Sequence, residues 1–340
     1  MTRRLAPELD AVLDRTRDQW EALRGARLLI TGGTGFVGKW LLETLTWADE
    51  ALSLGVRATV LTRCPERFAA AVPHLAGNRC VELLRGDVAT VEYPRRAFSH
   101  AILAAAVAAN TSAGPVGPES MSATVVDGTR RALQALRERG VERLLFVSSG
   151  AVYGSQPPDV RLRAEDSLGV EMAEPRDVYG LCKLEAESLV LAMEPGSAVR
   201  TIARPFSFVG PYLPLEHFAV GEFVRDATAG GPIRVTSDGT SLRSYLYASD
   251  MAEWLWAILL RGEDGRAYNV GSEDERTIRE TAETVSRAFE PAVPVEVGAS
   301  APAMLRARYV PSTARARNEL GLAETVGFEE AVRRTVEWYS

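Results

Sequence analysis

The chain contains little cysteine and no long apolar run. Its 340 residues include three cysteines, which are widely separated and odd in number, so they match neither a metal-site spacing nor a disulfide framework. We therefore expect no metal site and a reducing compartment, the cytoplasm. The longest apolar stretches are far shorter than a membrane span, and the first residues, MTRRLAPELD, lack the apolar core of a signal peptide.

Blocks of basic charge are also absent. No run of five or six basic residues occurs, and the formal net charge is −6 with an isoelectric point of about 5.4. We therefore expect neither nucleic acid nor an acidic membrane surface as a partner. Lysine is rare among the basic residues, since only Lys39 and Lys183 are lysines, so each of them calls for a specific reason.

The sequence does contain a regular alternation of short apolar segments and amphipathic segments from residue 26 onward. Such an alternation is typical of strands that alternate with helices. We predict strands at residues 27–31, 58–62, 81–84, 100–104, 144–148 and 199–204. We predict helices at about residues 36–47, 119–139 and 178–193. The expected fold class is α/β, with a doubly wound parallel Rossmann sheet that has helices on both faces.

The chain divides into three predicted parts. An amphipathic helix over residues 7–24 makes residues 1–25 an N-terminal helical extension that docks on the main domain. Residues 26–204 form the Rossmann domain. Residues 205–340, which are rich in Pro and Gly between helical segments, mainly form a smaller C-terminal α/β substrate-binding domain at the carboxyl edge of the sheet. Some of its segments, such as residues 266–270, are expected to return to the main sheet.

A glycine-rich loop, TGGTGFVG, directly follows the first strand. Glycine permits a tight turn and a close approach of the backbone to a pyrophosphate, and the helix that follows offers free N–H groups to that anion. Because the loop lies between a strand and a helix, it predicts a dinucleotide site. The expected contacts in this loop and after the third and fourth strands are Gly32, Gly35, Phe36, Val37, Gly38, Val88, Ala104 and Ala105.

The identity of the dinucleotide, NAD or NADP, stays open. An acid at the end of the second strand would bind the ribose 2′-hydroxyl, but residues 60–63 contain none. Arg63 at this point fits a contact with a 2′-phosphate and fits a solvated surface arginine equally well. Asp87, after the third strand, is a candidate acceptor for the adenine amino group and also a candidate turn cap.

Tyr179 and Lys183 form the candidate catalytic pair. They are four residues apart and share one face of the predicted helix. We expect the lysine ammonium to lower the tyrosine pKa from its ordinary value near 10, so that the phenol exchanges a proton with a substrate hydroxyl or carbonyl. Lys183 is also placed to hold the nicotinamide ribose, so both residues count as cofactor contacts. Ser149 ends the fifth strand and is expected to hydrogen-bond the same substrate oxygen.

The motifs TGGTGFVG, SSGAVYG and YGLCK together resemble those of the extended short-chain dehydrogenase/reductase family, in its nucleotide-sugar epimerase/dehydratase branch. The resemblance covers about residues 26–338. It implies Ser149, Tyr179 and Lys183 as catalytic residues and a nucleoside-diphosphate sugar as the substrate. It also implies a homodimer formed by the predicted helices near residues 119–139 and 178–193.

The resemblance also suggests residues that contact the substrate, besides Ser149. Arg243 corresponds to an arginine that binds the diphosphate of the sugar nucleotide, for which a guanidinium is well suited. Arg306 and Arg308 are further candidate phosphate ligands. Ser207 and Val125 each stand where the family usually has asparagine, so the contacts with the sugar nucleotide are expected to differ.

A departure from the family pattern narrows the expected reaction. The 4,6-dehydratases carry Asp-Glu after the serine or threonine, and the decarboxylases keep the glutamate, whereas this chain has Gly150 and Ala151. We therefore expect a nucleotide-sugar epimerase that transiently oxidises C4, and not a dehydratase. The open alternatives are an NADPH-dependent 4-ketoreductase of a deoxysugar nucleotide, favoured by Arg63, and a ketoreductase of a non-sugar ketone, favoured by Ser207 and Val125. A non-catalytic NAD(P)-binding regulator is a further alternative.

Overall fold

The structure is a computed structural model that describes residues 2–106, 110–111, 114–115, 117–154, 156, 160, 177–194, 196–298 and 307–340. Among these residues the main sheet has seven strands: β1 Arg27–Thr31, β2 Arg57–Thr62, β3 Val81–Arg85, β4 His100–Leu103, β5 Arg143–Val147, β6 Val199–Pro205 and β7 Arg266–Val270. The α-helices are α1 Thr2–Thr16, α2 Phe36–Leu52, α3 Pro65–Ala71, α4 Pro73–Ala76, α5 Pro118–Ser122, α6 Gly128–Arg137, α7 Asp177–Leu191, α8 Ala219–Thr228, α9 Ala248–Arg261, α10 Ile278–Arg287, α11 Ala314–Leu320 and α12 Phe328–Tyr339. In this part of the chain every helix is too short or too polar to cross a membrane.

The strands of the main sheet lie in the order β7, β6, β5, β4, β1, β2, β3, and neighbouring strands are parallel throughout. The chain thus extends the sheet from β1 in one direction and from β4 in the other. This reversal opens a crevice at the carboxyl ends of β1 and β4, where such sheets bind ligands. The predicted α/β fold with a doubly wound parallel sheet is confirmed.

Helices cover both faces of the sheet, which explains why its strands are continuous apolar runs. Along β1, Leu28 and Ile30 belong to the core that also contains side chains of α2 and α9, whereas Leu29 belongs to the core with α6 and α7. This division follows from the alternation of side chains along a strand. Trp254 and Trp256 of α9 have no exposed surface, so α9 is a core helix.

Smaller sheets lie in the C-terminal part of the chain. Leu242–Arg243 pairs with Arg276–Thr277 on one side and with Arg308–Tyr309 on the other. Two further strand pairs are Ile233–Val235 with Val295–Val297 and Phe208–Val209 with Leu246–Tyr247. The three-stranded sheet matters for the site, because its register sets Arg243 directly beside Tyr309.

The N-terminal extension differs from the prediction in its bounds. Instead of one helix over residues 7–24, α1 begins earlier and is followed by a 3₁₀ helix over Arg17–Leu23. The Thr16 hydroxyl donates to the Val12 carbonyl at 2.6 Å and accepts the Trp20 indole N–H at 2.8 Å. Local side-chain bonds of this kind compete with a regular α-helix and explain the change of geometry.

The predicted helix over residues 119–139 is interrupted. Between α5 and α6, Ala123–Asp127 forms a turn of π-helix, a feature that is frequent near functional sites. Gly128 follows it, and a Cβ on this residue would lie only 2.7 Å from Val88 Cγ1. The interrupted helix therefore packs closely against a residue predicted to contact the cofactor.

We predict that Trp20→Ala destabilises the protein by about 3–5 kcal/mol, the usual cost of truncating a buried tryptophan. Trp20 is 1% exposed, and its ring centroid lies 5.2 Å from that of Trp256. Urea unfolding of the full chain measures the change.

The matched control is Asp18→Ala, an exposed position in the same 3₁₀ helix, which should change the free energy of unfolding by less than about 0.5 kcal/mol. A loss below about 1 kcal/mol for Trp20→Ala would mean that the extension does not belong to the cooperative core.

Candidate active site

Many of the predicted site residues lie at one edge of the main sheet. Residues of this group follow the carboxyl ends of six strands: Gly32 after β1, Arg63 after β2, Asp87 after β3, Ala104 and Ala105 after β4, Ser149 after β5 and Ser207 after β6. The carboxyl ends of parallel strands lie side by side, so residues distant in sequence meet there.

Two glycines of the loop after β1 are required by the packing of the protein itself. Gly32 has φ +71°, and a Cβ on it would lie 2.3 Å from the Ala104 carbonyl oxygen. A Cβ on Gly38 would lie 2.3 Å from Gly33 Cα. These two positions therefore exclude any side chain, whether or not a ligand binds.

At Gly35, neither the backbone conformation nor the packing of the protein requires a glycine. Its φ is −78°, which any residue adopts, and a Cβ on it would lie 3.5 Å from its nearest neighbour, the Gly32 carbonyl oxygen. Gly35 is exposed at the N-cap of α2, and no side chain caps that helix. The open space in front of the helix N-terminus fits a pyrophosphate, so the residues present fit a dinucleotide. Phe36 and Val37 are half-buried in the first turn behind it.

Three cations lie near the end of β2, where the nearby acid, Glu66 of α3, is ion-paired with Arg85. Arg63 is exposed, Arg67 is exposed on α3, and Lys39 is half-buried on α2. Burial lowers the pKa of Lys39, and the charge of Arg67 lowers it further, so these two side chains are neighbours. Among the ion pairs of the described residues, none involves these three side chains. The sequence motifs pointed only to Arg63. Arg67 was not predicted, because it is the fold of α3 that places its side chain near the end of β2.

Asp87 takes the turn-capping role that the sequence left open. Its Oδ1 accepts the backbone N–H of Ala89 at 2.9 Å. This bond does not test a contact with adenine, which stays a prediction. The next residue, Val88, is buried.

The ends of β4 and β1 are tied together at the predicted cofactor contacts. The Ala104 N–H donates to the Thr31 carbonyl at 3.2 Å, and the Ala105 N–H donates to the Thr31 hydroxyl at 3.2 Å. The loop after β4 is therefore held directly against the glycine-rich loop.

Ser149 and Tyr179 are brought together, as the sequence predicts. Ser149 is 9% exposed and caps the 3₁₀ helix Gly150–Tyr153, where its Oγ accepts the Ala151 N–H at 3.1 Å. The half-buried Tyr179 projects from the first turn of α7, and the Ser149 hydroxyl lies close enough to its phenol to lower the pKa of that phenol. A substrate oxygen placed between these two hydroxyls would contact both.

Lys183 lies beneath the pair and is 1% exposed. Its Nζ donates to the Val147 carbonyl at 2.8 Å and lies 5.8 Å from the centroid of the Tyr179 ring. Burial lowers the pKa of Lys183 to about 8, although the charge of Glu187 opposes this.

The expected lowering of the Tyr179 pKa is wrong for the protein by itself. Burial raises the pKa of this phenol, and the nearby Ser149 hydroxyl only partly opposes the rise. The ammonium of Lys183 is held by a backbone carbonyl instead of by the phenol oxygen, which explains why it does not offset the burial.

A buried ion pair supports this cluster and was not predicted. Arg204 donates to Glu187 through Nε at 3.0 Å and through Nη2 at 2.7 Å. The Ser148 hydroxyl donates to the same carboxylate. A sequence signal does exist, because Glu187 lies four residues after Lys183 on the same helix face.

Tyr309 and Phe206 also reach the site and were not predicted. The Tyr309 hydroxyl lies near Ser149 and donates to the Pro205 carbonyl at 3.5 Å, and the Tyr309 ring centroid lies 4.6 Å from that of Phe206. A Cβ on Gly150 would lie 2.7 Å from the Phe206 ring and 2.8 Å from the Tyr309 hydroxyl oxygen. The two aromatic side chains therefore fill the space next to Gly150.

The predicted substrate contacts differ in their surroundings. Arg243 is half-buried, and its guanidinium lies 6.0 Å from the Tyr309 ring centroid, so it faces the site. Arg308 forms an ion pair with Glu275, which a phosphate would have to share. Ser207 is half-buried beside Phe206, and Arg306 lies outside the described residues. Contact of these side chains with a substrate stays a prediction.

Comparison with known proteins identifies similar sequences and folds. The profile of the NAD dependent epimerase/dehydratase family matches residues 28–271. A dTDP-glucose 4,6-dehydratase of Mycobacterium tuberculosis is 30% identical over 325 residues, which cover 92% of this chain and 93% of that protein. Epimerase Mth375 of Methanothermobacter thermautotrophicus has a TM-score of 0.78 at 24% identity and covers 96% of both chains.

A second solved structure is DesIV of Streptomyces venezuelae, a dTDP-glucose 4,6-dehydratase with NAD bound. Its TM-score is 0.77 at 25% identity, and the match covers 92% of this chain and 96% of that one. These findings confirm the resemblance drawn from the three sequence motifs.

We predict that Gly35→Ala leaves the stability of the fold unchanged but weakens dinucleotide binding about tenfold or more, which is ~1.4 kcal/mol. The added methyl group meets no protein atom closer than 3.5 Å but lies where the pyrophosphate approaches. Titration calorimetry with NAD and NADP, together with urea unfolding, measures both effects.

Gly38→Ala is the contrasting variant. Its Cβ would lie 2.3 Å from Gly33 Cα, so it should lower the free energy of unfolding by about 1–3 kcal/mol, as overpacking usually does. Equal affinity of Gly35→Ala and the parent for both dinucleotides would contradict the pyrophosphate site.

Proposed function

The chain belongs to the NAD dependent epimerase/dehydratase family and is an enzyme of the extended short-chain dehydrogenase type, and on that premise we propose that it is a nucleotide-sugar epimerase. The reaction would proceed by transient oxidation of the sugar C4 hydroxyl. The observation that carries the proposal is the cluster of Ser149, Tyr179 and Lys183, with no acidic side chain at the two positions that follow the serine.

The chain's own residues would handle the proton of the reaction. Tyr179 would take the proton of the C4 hydroxyl and return it, while Ser149 would hydrogen-bond the same oxygen. The positive charge of Lys183 would favour the phenolate form of Tyr179. Because the pKa of Lys183 is lowered to about 8, this lysine can gain or lose its proton near neutral pH. NAD or NADP, when bound, supplies the chemistry of accepting a hydride and giving it back.

The surroundings of Gly150 favour epimerisation over dehydration. Elimination of water needs an acid and a base near the carbon atoms that lose it. In this chain Gly150 and Ala151 carry no such group, and the ring of Phe206 and the hydroxyl of Tyr309 occupy the space next to Gly150. The relatives include dehydratases, so the argument rests on these residues and not on overall similarity.

The diphosphate of the substrate would bind in the C-terminal part. Arg243 faces the cluster, and its guanidinium donates to the Leu242 carbonyl at 2.7 Å, without an acidic partner among the described residues. Its charge is therefore available to an anion, and a guanidinium matches a diphosphate in geometry.

We also propose a homodimer through the helices near residues 119–139 and 178–193, a cytoplasmic location, and the division into residues 1–25, 26–204 and 205–340.

A second candidate, an NADPH-dependent 4-ketoreductase, is favoured by the cations near the end of β2. Arg63, Arg67 and Lys39 suit a 2′-phosphate, whereas the nearby acid, Glu66, is already paired with Arg85. An epimerase regenerates its cofactor in each turnover, whereas a reductase consumes NADPH in equal amount with its ketone. Product analysis together with absorbance at 340 nm therefore distinguishes the two candidates.

We predict that the chain interconverts C4 epimers of a nucleotide hexose, and that Tyr179→Phe lowers kcat by about 10²–10⁴-fold through loss of proton transfer. Incubation with UDP-, dTDP- and GDP-hexoses, followed by chromatography and NMR of the sugar, measures the conversion.

The matched control is Tyr268→Phe. This phenol donates to Glu319 at 3.1 Å and accepts the Glu263 N–H at 3.2 Å, near the amino end of β7 and so at the opposite edge of the sheet from the site. The substitution should therefore leave kcat unchanged. Full turnover in Tyr179→Phe would contradict the assigned proton transfer.

We predict that the double substitution of Arg63 and Arg67 by serine raises the Kd for NADP about hundredfold or more and leaves the Kd for NAD within twofold. Each charged hydrogen bond to the 2′-phosphate contributes about 1.5–3 kcal/mol, and NAD lacks that phosphate. Arg234→Ser, an exposed position on Ile233–Val235, is the control and should change neither Kd. Equal losses for both dinucleotides would reject the phosphate contact.

A further inference from the structure

Lys39 is one of the two lysines of the chain, and the proposed proton transfer uses only the other one, Lys183. Lys39 lies in the first turn of α2 and lines a cavity of about 390 Å³. The cavity lies between α2, the end of α3, a loop over residues 212–215 and the end of α12. Its volume is near the lower end of the range of small-molecule sites, roughly 300–1,000 Å³.

The walls of this cavity are mostly apolar. Val72, at the end of α3, and Leu213 and Leu215, in the loop, supply aliphatic surface. The rings of Tyr212 and Trp338 meet edge to face, with their centroids 5.0 Å apart. Walls of this composition bind a flat apolar body through contact area and ring stacking.

The phenol hydroxyls of the wall are already engaged within the protein. Tyr212 donates to Glu43 Oε1 at 2.6 Å, and Tyr339 donates to the Leu213 carbonyl. Each hydroxyl has a single proton, so neither has one left to donate to a ligand. Among the described residues that line the cavity, Lys39 is then the one that supplies a charge.

The charge of Lys39 is not neutralised by an acid in the described part of the chain. Glu43, one turn further along α2, accepts from Tyr212, and the same oxygen lies 2.8 Å from His74 Nε2. The neighbouring charge that acts on Lys39 is a second cation, Arg67, and burial lowers the pKa of Lys39. A half-buried ammonium without a counter-ion has lost part of its hydration, so an anion that enters the cavity gains a strong partner.

The loop that carries Tyr212 is held in place by the protein itself. Tyr212 has φ +70°, which is uncommon for a residue other than glycine and persists only where the surrounding contacts impose it. Those contacts include the bond to Glu43, which is 1% exposed, and the bond from the Trp40 indole N–H to the Pro211 carbonyl at 2.9 Å. A wall that is already formed reduces the entropic cost of binding a ligand.

We propose that this cavity binds a small organic monoanion with a flat apolar ring system, such as an aromatic carboxylate, with its charge on Lys39 and its ring against Tyr212 and Trp338. Lysine presents a single point charge, which matches one negative charge, whereas phosphate is commonly held by several donors. The inference goes beyond the proposed function and does not depend on it, because the predicted catalytic residues do not line the cavity.

The first experiment detects binding at Trp338. The full chain is labelled with 5-fluorotryptophan, and the ¹⁹F resonance of Trp338 is identified by its loss in Trp338→Phe. We expect 2-naphthoate to move this resonance saturably, with a Kd of about 1 mM or lower, the affinity expected for a ligand of this size. The resonances of Trp20 and Trp254, which are 1% and 0% exposed, should not move.

Two substitutions test the charge and the cavity separately. Lys39→Met keeps the apolar stem and removes the charge, so it should raise the Kd for 2-naphthoate about tenfold and leave the Kd for the neutral 2-naphthalenemethanol within twofold. Ala71→Phe, at an exposed lining position, should block both compounds. Its matched control is Ala70→Phe, an exposed position of α3 outside the lining, which should change neither Kd. Because both alanines are exposed, neither substitution disturbs the core.

Saturating NADP separates this cavity from the cofactor site, because Lys39 also lies beside Arg67 near the end of β2. We expect the Kd for 2-naphthoate to stay within twofold when NADP is present. Displacement of 2-naphthoate by NADP would assign Lys39 to the 2′-phosphate and overturn the separate site. An unmoved Trp338 resonance, equal losses of both compounds in Lys39→Met, or full binding in Ala71→Phe would each overturn it as well. Failure to convert any nucleotide sugar would reject the epimerase and leave this inference intact.

Discussion

The buried ion pair between Glu187 and Arg204 is the interaction on which the candidate site depends. The two residues are 2% and 4% exposed, and Arg204 donates to both carboxylate oxygens. Removing one partner of such a pair leaves a buried charge unpaired, at a cost of about 3–5 kcal/mol. Since Tyr179, Lys183 and Glu187 follow one face of α7, fixing the glutamate also fixes the depth at which the tyrosine and the lysine meet the sheet.

The same ion pair connects three strands at their carboxyl ends. Ser148, at the end of β5, donates to the Glu187 carboxylate, and Arg204 itself lies in β6. Arg204 also donates to the Tyr153 hydroxyl at 2.9 Å, which in turn donates to Asn269 of β7 at 2.9 Å. Every polar group in this chain of bonds has a partner, which is the condition for a buried polar network to hold its members in place. Because Ser149 directly follows Ser148, this network also restricts the position of Ser149.

Local signals in the sequence were sufficient for the fold and for the central residues of the site. The strand and helix periods predict the parallel sheet, and the spacing of Tyr179 and Lys183 predicts their shared helix face. What the sequence cannot supply is the neighbour that arrives from a distant segment. Tyr309 reaches Ser149 because a short strand pairs beside Arg243, and no periodic pattern records that pairing. The predicted lowering of the Tyr179 pKa was wrong because burial raises this pKa, and the spacing of the tyrosine and the lysine does not show how deeply the fold buries the phenol.

The glycines of the site illustrate how one residue type serves different physical needs. At Gly32 and Gly38, close contacts with other backbone atoms of the protein exclude any side chain, whether or not a ligand is bound. Gly35 has no such close contacts within the protein, so the absence of a side chain there matters only for a ligand that approaches the N-terminus of α2. Gly150 belongs to a third kind, because the ring of Phe206 and the hydroxyl of Tyr309 occupy the space that a side chain would take. The Rossmann scaffold is compatible with many reactions. The chemistry of this chain therefore depends on which group enters the space beside Ser149, and here that group is a neutral phenol in place of a carboxylate.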